Sequence, residues 1–185
     1  MKTTEDNKQQ DYVLLSLEKA KKTLREAKGN IEMEFWDSAA NRLYYACFHA
    51  AEALLNEHGF FPKTHSGLSG LLGLHFIQTG IINEQQGSDY SRILKLREKA
   101  DYNNRITVTL EEVKQSIIPA ENFIVTAERL ILEKRQSEQI SQTQKNTSKV
   151  TIPTSETEIP RTLNFNGVEV PNPKHPENQK KGIRM

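Results

Sequence analysis

Three short stretches of this chain bring groups suited to phosphate and proton chemistry within reach of one another. In AANRLYYACFHAAEALL, Arg42, Tyr45 and His49 stand three and four residues apart, which sets a guanidinium, a phenol and an imidazole along one helix face. Such a trio could hold a phosphate and manage a proton near neutral pH. The plainer reading makes Tyr45 and His49 packing residues with hydrogen-bonded tips, and Arg42 a rim residue. In LREKADYNNR, Arg97 and Asp101 lie four apart and can pair, Lys99 and Arg105 add positive charge, and Tyr102 and Asn103 sit where the chain leaves a helix. These groups suit RNA phosphates and a neighbouring 2′-hydroxyl. They also suit a helix C-terminus whose basic residues answer the macrodipole. In KTHSG, Lys63 and His65 occupy a polar loop before a helix, where free backbone N–H groups could help bind an anion. Equally, Thr64 or Ser66 caps that helix and His65 closes the turn.

The five histidines have no cysteine or carboxylate partners at zinc-ligand spacing, and no Gly-rich phosphate loop is present. No metal and no cofactor is therefore expected.

The elements that must position these groups read as helices. Val13, Leu14, Leu17, Ala20, Leu24 and Ala27 recur at three- and four-residue spacings from Asp11 to a stop at Gly29-Asn30. Asp37 or Ser38 can cap a second helix that carries Ala39, Ala40, Leu43, Tyr44, Ala46, Cys47, Ala50, Ala51, Leu54 and Leu55 to His58-Gly59; its small residues invite close approach by a neighbour. A third segment runs from Leu68 to Thr79, and a fourth helix opens at Ser88 or Asp89 and breaks at DYNN. Thr109 and Glu112 match a capping box for a last helix reaching about Glu133, with Pro119 expected to kink it. No stretch alternates as a hairpin-linked strand would within this region, so the fold expected is all-α, an up-down bundle of four or five helices.

The chain has 185 residues with 25 basic against 24 acidic side chains, so no global field draws it to nucleic acid or membrane, and RNA binding would need a local patch. Its hydrophobic content of 36% is concentrated between Tyr12 and Leu132, which implies a normal domain over residues 11–135 flanked by a flexible 1–10 and a polar tail over 136–185. That tail, rich in Gln, Ser, Thr, Asn and Pro, is expected to be disordered. One island in it, 163–170, alternates apolar and polar residues and could dock as a strand on a partner. A lone cysteine in an apolar run, no signal-like start and no membrane-length apolar stretch point to a cytoplasmic protein.

Taken together, AANRLYYACFHAAEALL, FPKTHSGL, HFIQTGII and LREKADYN, in that order and at these spacings, resemble one prokaryotic branch of the HEPN superfamily over roughly Ser16 to Leu132. The resemblance implies a small helical bundle that forms a homodimer, often beside a minimal nucleotidyltransferase, in a toxin–antitoxin or phage-defence module. It also implies a metal-independent endoribonuclease whose signature is an Arg followed after four to six residues by a His. Here that block runs from Arg97 to Tyr102, so a tyrosine stands at the expected catalytic histidine. His65, from its loop, or His49, six intervening residues beyond Arg42, would then supply the imidazole. The resemblance marks Tyr102 as the residue a nucleotidyltransferase would modify. The alternative expectation is a non-catalytic HEPN module that binds RNA, nucleotide or a protein through the same cleft, with the tail for docking.

Overall fold

A computed structural model of the chain describes residues 4–102, 107–147, 162–165 and 168–171. The chain divides into two units, Met1–Ser141 and Gln142–Met185. The first is an all-α bundle built from α1 (Thr4–Glu32), α2 (Trp36–Glu57), α3 (His65–Leu72), α4 (Glu84–Tyr102) and, as far as Ser141, α5 (Leu110–Thr147). A π-turn over Gly73–Ile77 extends α3. No helix among the described residues is long and apolar enough to cross a membrane.

The centre of the bundle is α2. Thirteen of its 22 residues are buried, among them Ala39, Ala40, Ala46, Ala50, Ala51 and Ala53. These alanines let helix axes come close on more than one side. Val13, Leu17, Ala20 and Ala27 of α1 join the same core, as do Leu68, Leu72, Tyr90, Ile93, Phe123 and Ile131 from the other helices. Cys47 lies fully buried in it, and burial pushes its thiol up to about 12.

Several boundaries differ from the sequence reading. α1 begins at Thr4, which places much of the expected flexible N-terminus in a helix. α2 starts at Trp36 after Phe35, with no side-chain cap, so Asp37 sits in its first turn, where a carboxylate favours the helix dipole. α4 opens at Glu84, earlier than Ser88, because Asn83 accepts a hydrogen bond from the Gln86 amide at 2.8 Å. α3 keeps the expected cap: Thr64 Oγ1 accepts from the Gly67 amide at 3.0 Å. The Thr109–Glu112 capping box is present, with the Thr109 amide donating to Glu112 at 2.9 Å and the Glu112 amide donating to Thr109 at 3.3 Å. α5 runs past Glu133 to Thr147, and Pro119 lies inside it, removing one intrahelical amide.

Polar clamps on its rim fasten α5 to the bundle. Lys21 pairs with Glu128 and Lys28 with Glu121 across to α1. Arg135 grips Glu57 of α2 at 2.9 and 2.7 Å through two nitrogens. The Glu57 side chain is only 7% exposed and that of Arg135 20%, so this fork is a partly buried ion pair whose carboxylate is largely withdrawn from water. Lys99 of α4 donates to both oxygens of Glu112 at 2.7 and 2.8 Å.

In the second unit, β1 (Thr162–Phe165) and β2 (Val168–Pro171) pair antiparallel, with Phe165 opposite Val168. The segment 163–170, read as one strand seeking a partner, is instead parts of two short strands that pair with each other. The intervening dipeptide is Asn166-Gly167, the sequence two-residue hairpins favour.

Two stability predictions follow from the clamps. Removing Arg135 strands a buried carboxylate, so Arg135→Ala should lower unfolding free energy by roughly 3 kcal/mol, and adding Glu57→Leu should recover most of that loss, as measured by urea denaturation. The hydrogen bond from Lys99, aided by the Thr109 amide, holds the Glu112 carboxyl below the usual carboxylate range. A depressed carboxylate contributes stability above its unfolded pKa and loses it as pH falls through the folded value. The melting-temperature gap between wild type and Glu112→Ala should therefore be full at pH 7 and close below about pH 4; a gap that widens in acid would contradict the assignment.

Candidate functional site

A cleft of about 610 Å³ opens between the start of α3 and the middle of α4, lined by Tyr44, His65, Ser66, Ser69, Leu94, Arg97 and Glu98. Three elements build it. α2 contributes Tyr44 from its buried face, α3 offers His65 as its first residue after the Thr64 cap, and α4 supplies Arg97. The sequence separates His65 from Arg97 widely, and the fold sets both at the same opening.

Tyr44 connects them. Its hydroxyl lies 2.8 Å from His65 Nδ1, and its ring stacks near the imidazole with centroids 5.9 Å apart. The Arg97 guanidinium carbon sits 5.9 Å from the same ring centre, at the outer range of a cation–π contact. On its other side Arg97 pairs with Asp101 at 2.8 Å. Tyr44 itself is 1% exposed, and this burial raises its phenol above the ordinary value, against the opposing pull of the Arg97 charge. The phenol is therefore a neutral group throughout the physiological range. Phe48 stacks on His65 at 4.4 Å and Tyr45 meets it edge-on at 5.9 Å, so three rings of α2 lie against the exposed imidazole.

The remaining expected site residues fall elsewhere. His49 is buried and faces Glu52 at 3.4 Å, while Tyr12 of α1 donates to the same carboxylate at 2.9 Å. The hydrogen bond with His49 holds the Glu52 carboxyl below its usual range, with Tyr12 adding to it. His49 thus belongs to an α1–α2 joint and does not line the cleft. Arg42 covers the Tyr45 ring at 5.3 Å, hydrogen-bonds Asn41 at 2.9 Å and borders a separate shallow pocket with Asp37, Ser38, Asn41 and Asp101. Asp101, reached from one side by Arg97 and from the other by Asn41 at 3.4 Å, stands between that pocket and the cleft. Lys99 lies in a different groove altogether, with Arg92, Lys95 and Glu112. Lys63 is exposed in the loop just before His65. Tyr102 ends α4, but its side chain lies outside the described residues, as do Asn103 and Arg105. No group of three or more metal-ligating side chains occurs among the described residues.

Sequence reasoning passed over Tyr44, which it counted as core beside the more conspicuous Tyr45. The available signal was chemical: a tyrosine in a fully buried helical run needs a partner for its hydroxyl. Such a partner had to be a polar group brought in from another element.

This arrangement places a cation, an imidazole and a neutral phenol at one solvent-reachable opening, a set able to bind a phosphodiester and accept a proton beside it. The fold is shared with TT1696 of Thermus thermophilus, a crystal structure matched at a TM-score of 0.56 and 18% identity over 64% of this chain and 97% of that one. A UPF0332 protein of Thermotoga maritima is 35% identical over 113 residues, covering 61% of this chain and 86% of the relative. A Methanocaldococcus jannaschii protein that bears the name "putative toxin" is 38% identical over 108 residues, 58% of this chain and 80% of its own length. The HEPN domain model matches residues 13–130, which reaches into all five helices of the bundle and takes in every residue lining the cleft, and the chain belongs to the HEPN domain family.

Proposed function

We propose that this protein is a toxin-like endoribonuclease that cuts single-stranded or loop RNA at the cleft, with Arg97 and His65 as its two catalytic residues. The observation that carries the reading is their meeting at one opening, although the expected arginine–histidine signature is interrupted by Tyr102. His65 restores, from α3, the imidazole that α4 lacks.

In this mechanism the Arg97 guanidinium pairs with the non-bridging oxygens of the scissile phosphate and stabilises the charge that builds on them. His65 accepts the proton of the adjacent 2′-hydroxyl as its oxygen attacks phosphorus. The bond to the 5′-oxygen breaks, that oxygen takes a proton from solvent, and the products are a 2′,3′-cyclic phosphate and a 5′-hydroxyl end. Asp101 fixes the guanidinium, and Lys63, exposed near His65, is suited to a flanking phosphate. No residue of this scheme requires a metal ion.

The family and the relative named a "putative toxin" support a role in a toxin–antitoxin or defence setting. The same reading assigns a homodimer and a minimal nucleotidyltransferase as the restraining partner, with Tyr102 at the end of α4 as the residue modified. A second reading, a HEPN module that binds RNA without cutting it, draws on the tyrosine at the signature position.

The test is cleavage of tRNA and mRNA by purified protein in EDTA. Wild type should generate cyclic-phosphate ends, and Arg97→Ala and His65→Ala should each slow cleavage by roughly 100-fold or more. Lys99→Ala, on the other groove, should stay within about 3-fold, since its removal leaves the cleft's phosphate-binding group in place. RNA left intact by wild type across pH, with binding that weakens as salt rises, would replace the nuclease by the binding module.

A further inference from the structure

We propose that Tyr44 is the positioning residue of the cleft: its hydroxyl fixes which nitrogen of His65 faces substrate, and its ring seats the Arg97 guanidinium. The kinetic consequence rests on the ribonuclease reading; the structural consequence does not.

His65 is the first residue of a short helix and is exposed. A side chain so placed would ordinarily exchange among rotamers, and an imidazole free to spin offers either nitrogen to a ligand. Here the ring is clamped. Phe48 lies against it at 4.4 Å with planes 29° apart, Tyr45 meets it at 83°, and Tyr44 holds Nδ1 at 2.8 Å. That bond engages Nδ1 and leaves Nε2 without a partner among the described residues, free for the proton of a substrate hydroxyl.

Tyr44 can act as a fixed post because it cannot swing. It is buried in α2, and the Tyr90 ring packs 6.5 Å from it. Its phenol stays protonated, since burial raises it, so its oxygen can accept Nδ1–H from the neutral and from the charged imidazole alike, which keeps the Nε2 lone pair of the neutral ring for the substrate proton. The same ring lies 5.9 Å from the Arg97 guanidinium carbon. One rigid side chain thereby sets the spacing between the anion-binding group and the base, and misplacement of either by about 1 Å costs roughly 100-fold in rate.

Tyr44→Phe keeps the ring, the volume and the contact with Arg97 while removing the hydroxyl alone. In full-length protein labelled with 15N-histidine, wild-type His65 should show the Nδ1–H form as its dominant neutral tautomer, and the variant should show a mixture of two. Cleavage should lose roughly 10- to 100-fold in kcat with KM within about 2-fold. Unchanged imidazole spectra, or changed spectra with unchanged kcat, overturn the proposal. A wild-type His65 that already populates both tautomers, or that rests mainly as the Nε2–H form, overturns it without need of the variant. If the spectra change as expected while wild type cuts no RNA, the positioning role stands and the ribonuclease reading falls.

Discussion

Packing around α2 is the constraint on which the other features rest. A helix surrounded on several sides must present small side chains where its neighbours cross, and the six buried alanines of α2 meet that requirement. Bulk there would push α1 or α4 outward, at a cost of roughly 1–3 kcal/mol per overpacked site. Tyr44 is the largest fully buried side chain among the described residues, set among these small ones. Its ring lies 5.9 Å from the His65 ring and 5.9 Å from the Arg97 guanidinium carbon, and its hydroxyl lies 2.8 Å from His65 Nδ1. Core packing and site geometry are here the same contact.

The second organising feature is the division of α4 into two polar edges. Arg97 and Lys99 are neighbours in sequence, yet two residues rotate a helix by roughly 200°, so they point to different partners. Arg97 faces α2 and Asp101; Lys99 faces α5 and is neutralised by Glu112. What reads in one dimension as a single basic patch is, in three, a candidate phosphate group on one side and a structural ion pair on the other. With net charge close to zero, this partition matters more for anion binding than any overall field.

Much of the fold was legible because its signals are local. The periodicity of α1, the cap at Thr64 or Ser66 and the Thr109–Glu112 box each depend on residues a few positions apart; Val13, Leu17, Ala20 and Ala27 are buried as read while Leu14 is exposed, the cap is Thr64, and the box is present. The start of α4 was misplaced because Asn83, a cap in its own right, lay amid polar residues that resembled loop. The β1–β2 pairing was half legible: alternation over 163–170 showed extension, while the Asn166-Gly167 turn signal went unused. The cleft was the least legible part. A linear reading names Arg97 and His65 as candidates, but their approach depends on how α3 and α4 cross α2, which no spacing in the sequence encodes. His49 illustrates the opposite error, since its helical spacing from Arg42 was real while its chemistry is spent on Glu52.

The central claim is that an arginine of α4 and an imidazole from α3 serve one solvent-reachable opening. The most direct measurement is an NMR titration of the full-length protein with a 2′-O-methyl dinucleotide, which cannot be cleaved, following the Arg97 guanidinium, the His65 ring and the Lys99 ammonium. The account predicts that Arg97 and His65 signals shift together along one saturation curve while Lys99 stays still. Shifts at Lys99 with none at His65, or separate curves for Arg97 and His65, would contradict it.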